Sequence, residues 1–280
     1  MGVKMSNYAI GISEINDFKK NGFLIKKNLF NVEEINNIMA SLETDPLIKK
    51  HMFDRDDSDG NSTLSVQWNN PGDSSYGVGA RMNKIVDVVE DLLGGEVYHW
   101  HSKVTAKAAK EGGAWEWHQD YGYWYNHGCL YPDMMSVMVA LDKSTKENGC
   151  LQVLKGSHRI GRIDHIKMVK DNGDLGQVCA DQERIKWAET KHENIYCEME
   201  PGDALFFHGN TLHGSGANKS DMRRWALLFC YNLATNNPFI ETHQPFYQPI
   251  NKAKNNYIIN NGITLGDGSE NFQSTYTKKK

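Results

Sequence analysis

Apolar residues in the first third of the chain recur at helical spacing, whereas beyond residue 95 they fall into short runs and alternations. Ser13 to Lys20 predicts a short helix stopped by Asn21-Gly22, and Phe23 to Phe30 an apolar strand. Asn31 with Glu34 three residues on forms a capping box for a helix that places Ile35, Ile38, Met39 and Leu42 on one face. Asp45-Pro46 ends it. Residues 51–78 are polar and predict loop or irregular edge structure, and Ala80 to Leu93 a helix burying Ile85, Val88, Val89 and Leu92, ended by Gly94-Gly95. Strand candidates follow at 96–107, 115–121, 134–142, 150–154, 195–200, 203–208 and 224–233. Short strands at this density predict a mainly β barrel or sandwich with helices packed outside. The polar stretch 159–192, with a helix near 181–190, is expected to be a lid or binding loop. The expected organisation is a single domain over 1–280: helices and outer strands over 1–95, a β core over 96–233, and a C-terminal extension over 234–280.

Composition narrows the function classes. A formal net charge of −4 leaves no basic footprint for nucleic acid, and no apolar run approaches the length of a membrane span. Met1 to Ile12 lacks the basic start and apolar core of a secretory signal. Five cysteines, an odd number without a Cys-x-x-Cys pair, favour free thiols in a reducing compartment, so a cytoplasmic protein is expected. Asp54, Asp56 and Ser58 have the spacing of a calcium loop, but Asp59 stands where that loop needs Gly and Ser65 where it needs Glu. A solvated acidic turn is the better reading.

The chemistry centres on Trp115-Glu116-Trp117-His118-Gln119-Asp120. In an extended segment His118 and Asp120 face the same way. An imidazole and a carboxylate on one face are two-thirds of a facial iron site, which leaves three cis positions of an octahedral ion open. The third ligand must be a distant histidine, and both His208 and His213 are available. His213 is preferred because it stands at a strand-to-turn junction eleven residues before Arg224. A lone histidine is ordinarily a hydrogen-bonded structural residue; that reading must here account for both halves of a ligand set.

His118-Gln119-Asp120, Glu147-Asn148-Gly149-Cys150-Leu151, Gly156-Ser157-His158 and His213-Gly214-Ser215 through Arg224 together resemble the phytanoyl-CoA dioxygenase family, as does the opening Phe18 to Leu24. The resemblance implies a double-stranded β-helix (a jelly-roll, cupin-like core) with flanking α-helices. It implies Fe(II) on His118, Asp120 and His213, 2-oxoglutarate as co-substrate and O2 as oxidant. Arg224 would hold the distal carboxylate of 2-oxoglutarate. The retained Asp argues against the halogenating relatives, which carry a small residue there. A guanidinium suits that task because it stays charged and grips a carboxylate in two places. Adjacent strand residues face opposite ways, so Arg223 is expected at the surface.

His101, Lys103, Thr105 and Lys107 share one face of a strand. Resemblance to the family assigns His101, Lys103 and Thr105, with Ser215, to 2-oxoglutarate or substrate, against the alternative of a solvent-facing stripe. Trp124 matches a substrate-contacting aromatic of ectoine hydroxylase, and Tyr121 and Ser136 are further candidates for the substrate pocket. An aromatic face can hold a small cation. The segment 115–125 looks closer to bacterial hydroxylases of small metabolites, such as ectoine and 2-aminoethylphosphonate, than to the acyl-CoA branch. The expected partner is therefore a small molecule, an amine, amino acid or aminophosphonate. Lys103, Lys107, His127 or Arg162 could meet an anionic group on it. Three other readings are a hydroxylase of a lipid-like or acyl-CoA substrate, a non-catalytic ligand-binding member of the fold, and a zinc hydrolase with Glu116 as base. Retention of all four site residues disfavours the second, and Arg224 the third.

Overall fold

The computed structural model describes residues 10–169 and 175–273. Parts of the expected terminal segments, and residues 170–174 of the expected 159–192 excursion, lie outside the described residues. Thirteen strands are present among them. In chain order they are β1 (Phe23–Lys26), β2 (Phe53–Asp56), β3 (Ser62–Trp68), β4 (Val97–Lys107), β5 (Trp115–His118), β6 (Met134–Ala140) and β7 (Leu151–Leu154). There follow β8 (His165–Val169), β9 (Leu175–Ala180), β10 (Asn194–Tyr196), β11 (Ala204–His208), β12 (His213–Ser215) and β13 (Arg224–Leu233). A seven-stranded sheet runs β1-β11-β6-β13-β4-β3-β2 and a four-stranded sheet β10-β7-β12-β5, while β8 and β9 form a separate hairpin. This is a double-stranded β-helix.

The large sheet is buried on both faces, which is why its central strands read as nearly unbroken apolar runs. Leu205 and Phe207 of β11, Met138 of β6 and Leu228 of β13 point between the sheets with Leu151 and Val153 of β7. The alternating residues Phe206, Val137, Val139, Leu227 and Phe229 face the helices on the other side. Those helices are α1 (Ile12–Asn21), α2 (Val32–Thr44), α3 (Pro46–His51) and α4 (Asn83–Leu93), followed later by α5 (Asp120–Trp124), α6 (Gln182–Glu189) and α7 (Tyr257–Asn261). Ile35, Ile38, Met39 and Leu42 of α2 meet Ile85, Val88, Val89 and Leu92 of α4 in that core. Each such side chain contributes about 1.5–3 kcal/mol on full burial. Asn31 and Glu34 form the expected reciprocal cap, and the same Glu34 receives the buried Lys84 ammonium at 2.6 Å, tying α2 to α4.

Two expectations are corrected. The helix expected from Ala80 starts at Asn83, because Ala253 donates to Arg81 O and accepts from Asn83 N–H, drawing Met82 into an extended conformation. The polar 51–78 stretch supplies β2 and β3, which extend the large sheet beyond β4. Its hydroxyl side chains are satisfied without solvent: Thr63 donates to Gly113 O and Ser65 to Val104 O. In the two strands polarity marks local hydrogen bonding, while residues 57–61 and 69–77 between and after them are turns and bends, as expected. Asp54 and Asp56 lie on β2, and Asp57 caps the following turn by accepting from the Asp59 and Asn61 amides.

Candidate metal centre and its two chambers

Two of the three candidate metal ligands, His118 and His213, come from the small sheet, and Asp120 follows just beyond its β5 edge. β12 pairs antiparallel with β5 so that His213 lies opposite His118, and their ring centroids are 4.1 Å apart. The strand expected over 115–121 ends at His118. Gln119 remains extended (φ −110°, ψ 132°), which keeps residues 118 and 120 on one side before Asp120 opens α5. The buried Gln119 side chain anchors this corner from behind, donating to Gly161 O and Asn210 O and accepting from Ile163 N–H. Its own amide donates to His165 Nε2 at 3.1 Å. That imidazole sits so close to α5 that a Cβ on Gly122 would lie 1.7 Å from its ring, which is why only glycine fits.

His118, Asp120 and His213 offer one ligand atom each within 4.8 Å of one another, the single such cluster of three or more among the described residues. His118 Nδ1 donates to Glu116 O at 2.7 Å and His213 Nδ1 to Thr211 O at 2.9 Å. Both rings are thus fixed as the tautomer that turns the Nε2 lone pair inward. Those Nε2 atoms stand 3.6 and 3.7 Å from Asp120 Oδ1. The other carboxylate oxygen, Oδ2, accepts from Ser136 Oγ at 2.5 Å. Burial pushes His118 down to about 3 and also lowers His213, so both imidazoles are neutral near pH 7. Burial opposes the charge on Asp120, but His213, His118 and Lys103 outweigh it and hold the carboxyl well below its ordinary range. Two neutral imidazoles and one ionised carboxylate on one face of a buried hollow fit a ferrous ion.

Two chambers open from this centre. The narrow one runs between the sheets and is lined by Lys103, Thr105, Ser215 and Arg224, with apolar walls from Met138, Phe207 and Leu228. It measures about 30 Å³, room for one end of a diacid whose other end would lie at the metal. Arg224 is buried, its Nε has no hydrogen-bond partner among the described residues, and burial draws its guanidinium down to about 10, still charged at neutral pH. A buried, partnerless guanidinium is costly unless an anion completes it. Arg223 points the opposite way and binds Glu43 at 2.7 Å. Behind Ser215 lies Lys107, fully buried, donating to Ser215 Oγ at 2.9 Å and to Gly216 O. Burial, and then Arg224 nearby, pull its ammonium down to about 6.

The wider chamber measures about 310 Å³ and is lined by His101, Lys103, Trp124 and His127, together with Arg55, Gln67, Tyr123, His243, Gln244 and Gln273. Lys103, Trp115 and His118 border both chambers.

The structure sorts the remaining sequence candidates by position. His101 faces the wide chamber and Thr105 the narrow one, so the polar face of β4 is inside the fold, not a solvent stripe. Tyr121 reaches neither chamber. It packs among Tyr98, Trp100 and Trp124, because α5 turns it away from the metal side. Ser136 lies behind Asp120, where its hydroxyl is taken up by the carboxylate and is not free for a substrate. Arg162 is paired with Asp164 and stacked over Tyr125 outside the chambers. His208 accepts from the Asn210 amide and packs on His158, away from the centre. Glu116 points to Ser58, outside both chambers, so the zinc-hydrolase reading lacks its base. Sequence reasoning missed Arg55, Gln67, His243, Gln244 and Gln273. None lies on a periodic element beside the His118–Asp120 motif, so nothing local marked them.

A model of the phytanoyl-CoA dioxygenase family (PhyH) matches residues 18–226. L-proline trans-4-hydroxylase of Streptomyces griseoviridis is 34% identical over 177 residues, which cover 59% of this chain and 66% of that protein. Ectoine dioxygenase of Bordetella parapertussis is 27% identical over 247 residues, covering 81% of this chain and 77% of that protein. The crystal structure of EctD from S. alaskensis with 2-oxoglutarate and 5-hydroxyectoine superposes with a TM-score of 0.72 at 22% identity, over 90% of each chain.

Proposed function

The chain belongs to the phytanoyl-CoA dioxygenase family, and on that premise we propose that it hydroxylates an unactivated C–H bond of a small polar metabolite: an amine, an amino acid or an aminophosphonate such as 2-aminoethylphosphonate. Its class is the Fe(II)- and 2-oxoglutarate-dependent dioxygenases. A ferrous ion held there supplies, with O2, the oxidation that converts 2-oxoglutarate to succinate and CO2 while the substrate C–H becomes C–OH.

The observation that carries this reading is the convergence of His118 Nε2, His213 Nε2 and Asp120 Oδ1 beside a chamber that ends on the partnerless Arg224. In this reading the two histidines and Asp120 hold the metal, and Ser136 keeps the Asp120 carboxylate turned toward it. Arg224 grips the distal carboxylate of 2-oxoglutarate, with Thr105 and Ser215 at its sides and Lys107 fixing the Ser215 hydroxyl. A charge-assisted bond of this kind contributes about 1.5–3 kcal/mol, enough to set the orientation of the diacid. Tyr123, whose ring lies 5.6 Å from that of His118 and whose hydroxyl is tied to Val178 O, shields the metal side from water. The substrate enters the wide chamber against Trp124, with His101 and Lys103 facing it from β4.

The charged and amide side chains in the wall of that chamber, Arg55, Lys103, Gln67, Gln244 and Gln273, favour a compact polar metabolite over an acyl chain. The test is oxygen-dependent succinate release by the iron-loaded protein, screened across amino acids, betaines and aminophosphonates. A substrate from that set should raise the rate well above the substrate-free level. Equal rates in wild type and Asp120→Ala would remove the assignment of the centre.

A further inference from the structure

The walls of the wide chamber carry an unbalanced charge. Lys103 reaches in from β4 and Arg55 from β2, and each lies against the Trp115 indole, at 5.4 and 3.9 Å from its ring centroid. Among the described residues neither has a carboxylate within ion-pair distance, and the one acid in the wall is Asp120. A ferrous ion and Arg224 together balance Asp120 and the 2-oxoglutarate dianion. Arg55 and Lys103 are then left as positive charges with no ion-pair partner among the described residues. Two residues of its wall, His101 and Gln244, also carry a buried polar atom without a partner among the described residues, His101 Nδ1 and Gln244 Oε1. Buried polar atoms are nearly always paired, so an unpaired one on a side chain that lines a cavity points to a ligand that the side chain turns to meet.

We infer that the substrate is a small oxyacid anion, a carboxylate or phosphonate, whose charged head is bound by Arg55 and Lys103 above Trp115 and whose remaining polar group meets His101 and Gln244. This rests on the proposed 2-oxoglutarate-dependent hydroxylation and adds the charge its substrate must bear. The reaction then balances as substrate C–H, O2 and 2-oxoglutarate giving substrate C–OH, succinate and CO2. Arg55 offers a planar fork to two oxygens of the head and Lys103 a point charge beside it. An amine without an acidic group would instead enter a chamber already positive.

The test is equilibrium binding to the Co(II)-loaded protein under anaerobic conditions, read by calorimetry and by the change in tryptophan fluorescence. 2-Oxoglutarate is titrated first. 2-Aminoethylphosphonate, β-alanine and 1-aminopropane, which differ in the head group, are then titrated into the complex. At least one of the two anionic probes should bind tenfold or more tightly than 1-aminopropane, and which one does so identifies the head as phosphonate or carboxylate. Arg55→Gln should weaken that probe tenfold or more while 2-oxoglutarate affinity is unchanged, and Arg55→Lys should recover part of the loss. Preference for 1-aminopropane, or anion binding indifferent to Arg55→Gln, overturns the inference and leaves the hydroxylase reading intact. Failure of the Co(II)-loaded wild type to bind 2-oxoglutarate overturns both.

Discussion

The narrow chamber and the wide chamber share Lys103, Trp115 and His118, yet they are walled in different ways. The narrow one is drawn mainly from paired strands. Thr105 lies on β4, Arg224 and Leu228 on β13, Met138 on β6 and Ser215 on β12, and β13 is hydrogen-bonded to both β4 and β6. The backbone positions on the large sheet cannot shift without slipping a register that buries apolar residues on both of its faces. The wide chamber instead gathers Arg55 from an edge strand, Trp124 from the five-residue α5, and His243, Gln244 and Gln273 from the long C-terminal segment. Those positions can be exchanged at small cost to the core. A scaffold of this kind holds the narrow chamber rigid and lets the wide one vary.

The largest effects are expected at the centre where the chambers meet. Asp120→Ala or His213→Ala removes a ligand and should lower Fe(II) or Co(II) affinity beyond the about 10–100-fold typical of outer contacts. Calorimetry on the metal-free protein measures it. Next, Arg224→Ala should weaken 2-oxoglutarate about 10–150-fold, the equivalent of one charge-assisted bond, with metal affinity retained. Arg224→Lys should restore little, since an ammonium lacks the bidentate fork. If Arg224→Ala leaves the 2-oxoglutarate dissociation constant alone, the narrow chamber is not the co-substrate site. Ser136→Ala frees one oxygen of Asp120 and should cost about tenfold in metal affinity while sparing 2-oxoglutarate contacts.

Gly122→Ala forces α5 and His165 apart and should cost about 1–3 kcal/mol, a fall of several degrees in the melting temperature of the metal-free protein. The smallest expected effect separates the chambers by their protons. Lys107, drawn down to about 6, is largely neutral at pH 7.5. A carboxylate bound at Arg224 raises it again, so 2-oxoglutarate binding should take up as much as one proton. By linkage its affinity then falls as pH rises above about 6. Calorimetry in buffers of different ionisation enthalpy reads the uptake, which Lys107→Met should abolish. Proton uptake unchanged in that variant would exclude Lys107 as its source.

Much of the frame was legible in the chain because it depends on local rules. The Asn31–Glu34 cap, the apolar stripe of α4 and the alternation along β4 each follow from the spacing of a few neighbouring residues. The 51–78 stretch misled because hydroxyls that bond to neighbouring backbone look, in sequence, like hydroxyls that seek water. Tyr121 and Ser136 misled for a related reason. Proximity to His118 and Asp120 along the chain or across the sheet did not reveal that one side chain turns into an aromatic core and the other serves the carboxylate.

The chain by itself determined the types of donor, the spacing that sets His118 and Asp120 on one side, and the opposite facing of Arg223 and Arg224, since each is fixed by backbone geometry over a few residues. Only the folded molecule brought His213 across from His118, and left His208 against His158. It also set Arg55 over Trp115 and divided the hollow in two. These are meetings between segments far apart in sequence. They are decided by how two sheets and their helices bury apolar surface together, and no stretch of the chain encodes that alone.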